Sequence, residues 1–442
     1  MYDIIVVGAG PGGYIAAERA GARGKSVLLV EKAELGGVCT NEGCIPTKSL
    51  LNSAKQYVHG LEADKFGVYF DGARFSLPDA MAWKRDVIET LRKGIAFLMK
   101  KNAVEVITGE AEFLDRQTIL VAGQRYQGRD LIIATGSSAA VPPIPGVDSP
   151  HVMTNREILK IADLPERIVI IGGGYIGMEF ASFFSNVGVE VHVVEMMKEI
   201  VPMMDARFSK TLRKSLPNVS FHLGAKVESI EKDRVNLSQD GREKTLQADV
   251  ILMSVGRRPN VQGLEALGLD IRPSGIKVNE KMQTNVPGVY AVGDVNGESL
   301  LAHSASRMAE VAVNTICGRP DQMRYQAVPW VVYTLPEVAG CGLTEQDAQA
   351  QGIRVKSATV QMRANGRFLA EYGKSSPGLC KVVVEADTNI LKGVHLLGAA
   401  CSEMIYGVAA LLEAELRVQD IQEIIFPHPT VSESIKDALW EI

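Results

Sequence analysis

The sequence predicts an α/β fold in which two copies of one parallel strand–helix unit are followed by a C-terminal α+β region. Three observations carry this. An apolar strand, a glycine turn, a helix, a second strand and an acidic residue occur in that order twice. Each copy is followed by a further apolar strand ending in a glycine, Gly136 in "LIIATGS" and Gly256 in "ILMSVGRRPN". Beyond about Arg319 the pattern changes to separate short strands and two late helices, which belong to a different layer arrangement.

Tyr2 to Val7 is an apolar run that meets "GAGPGG", then a helical stretch from Tyr14 to Ala22 and the strand "SVLLVEK". Gly8, Gly10 and Gly13 fit G-x-G-x-x-G, and Glu31 closes the second strand. In "RIVIIGGGYIGMEFASFFSNVGVEVHVVEM", Gly172, Gly174 and Gly177 repeat the turn, and Glu195 stands at the same interval beyond it. In such turns the first glycine makes the tight bend, the second lets backbone approach a pyrophosphate, and the third lets helix and strand pack closely. The helix N-terminus then favours the phosphate charge. The acid at the end of the second strand accepts hydrogen bonds from the ribose hydroxyls of an adenosine. One glycine turn is weak evidence; the complete unit, present twice, predicts two Rossmann-like dinucleotide-binding domains. Glu195 favours NAD over NADP, because a carboxylate repels a 2′-phosphate and the following Met196, Met197 and Lys198 place no arginine there.

Between the units, Leu77 to Lys101 predicts a long amphipathic helix. Val104 to Thr135 predicts short strands with turns at Asp115-Arg116 and Ala122-Gly123, and "VPPIPG", Val141 to Gly146, a linker. After the second unit come a hairpin at Asp240-Gly241 and "TNVPGVYAVGDV", which places Asp294 at the end of a strand. The α+β region holds strands such as Val328 to Tyr333 and Lys381 to Glu385, and helices at Ser402 to Glu415 and Val431 to Trp440.

With 46% hydrophobic and 22% charged residues, the composition is that of a soluble globular protein. A net charge of −5 with scattered Lys and Arg argues against a nucleic-acid binder. No apolar run approaches the roughly 18 residues of a membrane span. The chain passes directly into its first strand without a basic, cleavable leader, so a cytoplasmic location is expected. Six cysteines in 442 residues do not suggest a disulfide framework.

Two of them stand apart, in "GGVCTNEGCIPTKSLL". On spacing alone Cys39 and Cys44 fit a staple, metal ligands, inert thiols or a redox pair. No second Cys/His pair lies close by to complete a zinc set, and no metal is expected. Cys44 opens a helix with Pro46 in its first turn, where the helix N-terminus and nearby cations lower a thiol's pKa.

The motif "GGVCTNEGCIPTK" resembles the redox-disulfide motif of the flavin-dependent pyridine nucleotide-disulfide oxidoreductases. "FPHPTVSES" resembles their C-terminal His-Pro-Thr signature, and "IIATGS", "SVGRRPN" and "VYAVGD" resemble further landmarks in the same order, so the likeness runs from Tyr2 to Ala438. The resemblance implies FAD on the first unit, NAD on the second, and a C-terminal domain that forms a homodimer. Gly8, Gly10, Gly13 and Glu31 would then hold FAD together with Gly136 and Asp294, the latter on the ribityl chain. Gly172, Gly174, Gly177, Glu195 and Gly256 would serve NAD. Lys48, paired with Glu179, would lie beside the flavin's reactive nitrogen, and Tyr175 would cover the flavin face when nicotinamide is absent. Cys44 would face the flavin and Cys39 would exchange with substrate. His428, oriented by Glu433, would act as base from the opposite subunit. The division implied is 1–140 and 261–318 for FAD, 141–260 for NAD, and 319–442 for dimerisation.

Within the family the likeness is to members that oxidise protein-bound dihydrolipoamide with NAD⁺, which implies a partner carrying a lipoyl group, from a 2-oxoacid dehydrogenase or glycine-cleavage complex. An NADH-dependent reductase of another small disulfide, or a docking subunit whose flavin is idle, are the alternatives. Glu42, inside the disulfide segment, and Pro427, before His428, depart from the family pattern. A carboxylate beside a thiolate disfavours the reduced state.

Overall fold

The computed structural model describes residues 1–442. Its first sheet places Tyr2–Val7 between Val27–Glu31 and Gln124–Ile133, with Glu105–Thr108 outside Val27–Glu31 and Val289–Ala291 outside Gln124–Ile133. All these pairings are parallel, and the central strands are largely apolar because both faces are covered, one by helices Pro11–Gly21, Leu77–Lys101 and Ala302–Ile316, the other by the strands Ala111–Asp115 and Thr118–Val121. The N-terminal half of Gln124–Ile133 leaves this sheet and pairs antiparallel with Thr118–Val121, which pairs with Ala111–Asp115.

The second sheet repeats the plan: Val219–Leu223, Glu190–Glu195, Arg167–Ile171, Val250–Met253 and Val152–Met153, parallel throughout. In both sheets the strand before the glycine turn has its sequential partner on one side and a later strand on the other. That reversal opens a crevice at the strands' C-terminal ends. Beside the second sheet, Arg234–Gln239 and Arg242–Gln247 form a hairpin whose turn residues, Asp240 and Gly241, both have positive φ, 50° and 73°. This is the Asp-Gly turn whose twist suits a two-residue hairpin.

The C-terminal region is a five-stranded antiparallel sheet, Trp330–Val332, Glu337–Gly342, Leu391–Gly398, Leu379–Glu385 and Val355–Gln361. Helices Cys401–Glu413 and Glu433–Trp440 pack on it through Met404, Ile405, Val408, Ile435 and Leu439. No helix in the molecule is long and apolar enough to cross a membrane.

Helix Leu77–Lys101 is capped by Ser76, carries Pro78 in its first turn, and buries Leu77, Ala80, Met81, Lys84, Ile88, Ile95 and Met99 at helical spacing. Among the elements not expected, one carries Cys39. Gly37–Glu42 is a short helix, entered through left-handed Gly36 and Gly37 and ended by Gly43, after which the chain restarts as helix Cys44–Leu61. The largest apolar core joins Leu50, Leu51 and Ala54 of that helix to Met178, Phe180, Phe183 and Phe184 of helix Tyr175–Asn186, and to Val332 and Val338 of the C-terminal sheet. It sets the helix that follows Cys44 against the helix of the second dinucleotide unit.

Candidate functional site: a dithiol between two dinucleotide cradles

The two glycine turns are nearly superimposable in their contacts. A side-chain carbon on Gly8 would fall 2.3 Å from the Ala134 carbonyl oxygen, and one on Gly172 2.5 Å from that of Ser254. On Gly13 it would lie 1.7 Å from the Gly8 carbonyl, on Gly177 2.0 Å from that of Gly172. These first and third glycines are demanded by protein packing alone. The middle ones are not: beside Gly10 the nearest atom is 3.9 Å away, and beside Gly174 there is nothing within 4 Å. Protein packing leaves that space free, as a pyrophosphate lying against the backbone requires.

Both acids are oriented by their own unit. Glu31 accepts hydrogen bonds from the amides of Ala9, 2.7 Å, and Ala33, 2.9 Å; Glu195 accepts from Gly173 and Met197, each at 2.7 Å. The residues present therefore fit two dinucleotides. A cavity of about 1760 Å³ is lined by both turns, both acids, Cys39, Cys44, Lys48, Gly136, Asp294, Tyr175, Glu179 and Gly256. That exceeds the roughly 300–1,000 Å³ of a single-ligand pocket.

Replacing Gly174 by Ala is expected to leave thermal stability almost unchanged while raising KM for NAD⁺ about tenfold or more. Gly177→Ala, which drives a methyl into the Gly172 carbonyl, is expected to cost about 2–4 kcal/mol of stability. Thermal unfolding and NAD⁺ kinetics on the two variants separate cradle from packing.

Cys39 and Cys44 meet inside the cavity, half-buried and hydrogen-bonded as thiols. The hydrogen bond from the Cys39 thiol outweighs burial and, with the Lys48 charge, holds the Cys44 thiol down to about 7. The same hydrogen bond, reinforced by burial, pushes Cys39 up. The first thiolate of the pair thus forms on Cys44, at the start of an 18-residue helix. Because its folded pKa is lowered, the thiolate of the reduced pair is populated above about pH 7 and reprotonates below it. Thiolate ultraviolet absorbance of the reduced protein should fall through that range, and a Cys44→Ser variant should lack the step.

Behind the dithiol, Lys48 Nζ binds both carboxylate oxygens of buried Glu179, at 2.7 and 2.8 Å, and lies 4.4 Å from the centre of the Tyr333 ring. Glu179 also accepts from the Tyr333 amide, 3.2 Å. Burial pulls Lys48 down, but its attraction to Glu179 and their hydrogen bonds raise it above the usual lysine value overall. It is a fixed cation. Tyr175 reaches across the second turn with its ring 6.1 Å from that of Trp330 and its hydroxyl 3.9 Å from Met203 Sδ; burial pushes its phenol up to about 12.

Sequence reading missed how the landmark strands hold each other. Ser137–Ala139 and Arg257–Pro259 pair antiparallel, Asn260 Nδ2 donates to the Thr135 carbonyl, and Thr135 Oγ1 donates to that of Asn260. Arg257 donates through Nε to Ser137 Oγ, 2.7 Å, Ser137 Oγ donates to Asp294, 2.5 Å, and Arg257 itself stands 3.7 Å from that carboxylate. The signal was present in "ATGSS" and "GRRPN", whose polar residues have no other evident use. Glu42 is not left facing the dithiol: Arg156 Nε donates to its carboxylate at 2.7 Å.

His428 and Glu433 are paired, Nδ1 to Oε1 at 3.0 Å, and the His428–Pro429 bond is cis. The Thr430 amide, then His428, hold Glu433 below its usual pKa. With Nδ1 turned to a carboxylate, Nε2 is free to accept a proton. Yet His428, 81% exposed, does not line the large cavity of its own chain.

Two dinucleotide cradles facing one dithiol define a pyridine nucleotide-linked disulfide oxidoreductase, and the chain belongs to that family. Residues 2–309 match the pyridine nucleotide-disulphide oxidoreductase model and residues 328–439 that family's dimerisation domain. It is an FAD- and NAD-using enzyme that works as a homodimer. It is 36% identical to a dihydrolipoyl dehydrogenase of Bacillus subtilis, over 99% of this chain and 95% of that one. A second, from Thermus scotoductus, is 40% identical over 99% and 96%. Among solved structures, the HOCl-induced flavoprotein disulfide reductase RclA of Escherichia coli aligns with a TM-score of 0.88 at 28% identity, covering 99% of both chains.

Proposed function

We propose that the enzyme oxidises protein-bound dihydrolipoamide to lipoamide with NAD⁺ as acceptor, in a reducing compartment such as the cytoplasm. The observation that carries this is the dithiol set between two dinucleotide cradles of one cavity, the second closed by an acid suited to NAD. The other four cysteines are unpaired thiols, in keeping with that compartment.

The residues divide the work. His428 of the partner subunit takes a proton at Nε2 from one substrate thiol, and the thiolate attacks Cys39 Sγ. The Cys39–Cys44 bond breaks, and Cys44 leaves as the thiolate that Lys48 and the helix N-terminus stabilise. The second substrate thiol then displaces Cys39, closing the lipoamide disulfide, and its proton passes to the departing Cys39 sulfur while the first stays on His428. When bound, FAD supplies the two-electron relay between the dithiol and NAD⁺. Glu179 keeps Lys48 charged and in place, and Tyr175, which stands over the second turn, would cover the face of a bound flavin until nicotinamide enters.

The test is NADH formation from dihydrolipoamide, free and on a lipoyl-bearing protein, beside NADH-driven reduction of glutathione disulfide and other small disulfides. Absence of NAD-linked dihydrolipoamide turnover would sink the proposal. Turnover confined to another disulfide would favour the reductase reading, to which the likeness to RclA lends support.

A further inference from the structure

Glu42 ends the short helix that carries Cys39, and a six-residue helix cannot hold itself together. It is gripped from two sides. Arg92, on the long helix Leu77–Lys101, donates to Asn41 Oδ1 at 2.6 Å, while Asn41 itself donates back to the Gly37 carbonyl, 2.8 Å. On the other side two consecutive residues of the second unit seize both ends of Glu42. Asn155 Nδ2 donates to its carbonyl oxygen, 2.6 Å, and Arg156 Nε to its carboxylate, 2.7 Å. That carbonyl belongs to a helix end whose last oxygens have no partner within the helix.

The turn carrying Asn155 and Arg156 is itself fixed. Thr154 caps it, with its amide and hydroxyl both donating to Glu157, at 2.8 and 2.6 Å. Asn155 is buried.

We propose that Asn155 and Arg156 are positioning residues for the dithiol: from the nucleotide-binding unit they fix the Cys39 helix and neutralise the carboxylate that lies inside the Cys39–Cys44 segment. The inference rests on the reading of Cys44 as the thiolate beside the flavin.

The ion pair contributes little to stability, since Arg156 is 52% and Glu42 26% exposed. Its consequence is the placement of charge. The Cys39 thiol, Lys48 and Glu179 act most strongly on Cys44, with Arg257 beside them, and the Glu42–Arg156 pair adds two opposed charges at longer range. Arg257 in turn feels Asp294, Arg156 and Glu42. With Arg156 removed, an uncompensated Glu42 opposes the Cys44 thiolate; with Glu42 removed, an uncompensated Arg156 favours it.

The test uses FAD-loaded enzyme, reduced by two electrons with dithionite under anaerobic conditions. The long-wavelength thiolate–flavin absorbance is then titrated against pH. Arg156→Gln should move the midpoint up by about half a unit or more, Glu42→Gln down by about as much, and the double variant should return toward the parent. Asn155→Ala should weaken the band at an unchanged midpoint, because it disturbs geometry and not charge. Single charge variants that shift the midpoint in the same direction, or not at all, overturn the electrostatic part. An undiminished band in Asn155→Ala overturns the positional part. A parent enzyme with no such band instead overturns the reading of Cys44 itself.

Discussion

The Cys44→Ser variant is expected to fold and bind FAD like the parent, yet to lose NADH formation from dihydrolipoamide by about a thousandfold or more. The side chain changes by one atom in a half-buried position, so neither core nor cradle is disturbed. What disappears is the sulfur that forms the first thiolate and the bond that substrate must cleave. Cys39→Ser should be equally inactive with dihydrolipoamide but should keep the Cys44 thiolate and its absorbance. That difference, read by visible spectra alongside steady-state rates, assigns distinct roles to two residues that spacing treats alike. Retained turnover in either variant would contradict the exchange chemistry.

His428→Gln is expected to lower turnover by about 10²–10⁴-fold, the usual weight of a positioned acid–base group. The more decisive form of the experiment is a hybrid dimer. In one chain His428 does not line the cavity that holds Cys39 and Cys44. Pairing a Cys44→Ser subunit with a His428→Gln subunit leaves one intact combination only if the base acts across the dimer. Such hybrids should recover about half the parental rate, whereas a base acting within its own chain would leave them dead. Purification of hybrids through two different affinity tags, followed by the NADH assay, gives the answer.

Much of this was legible in the sequence, for reasons that differ between elements. Helix Leu77–Lys101 was readable because seven turns of apolar spacing and a Ser-Leu-Pro start leave little freedom. The glycine turns were readable because their strand, helix and acid all obey local rules, and the sheet order follows from those rules. Helix Gly37–Glu42 was not, since six residues show no periodicity and its existence depends on Arg92, Asn155 and Arg156, remote in sequence. Glu42 looked like a charge set against the dithiol for the same reason: its partner lies more than a hundred residues on. The Arg257–Ser137–Asp294 chain likewise joins three separate strand ends, and only the fold brings them together.

The two cradles share their three spaced glycines, acids and clamping amides, but they differ between the glycines, where Ala9, Pro11 and Gly12 of the first match Gly173, Tyr175 and Ile176 of the second. After the middle glycine the first unit has Pro11 and the second Tyr175. Proline adds little bulk beside its cradle, while on the proposed function a tyrosine standing over the second would have to swing aside for each guest. Tyr175 would then be part of what separates a resident from a visitor: one nucleotide held through every cycle, the other admitted and dismissed each time.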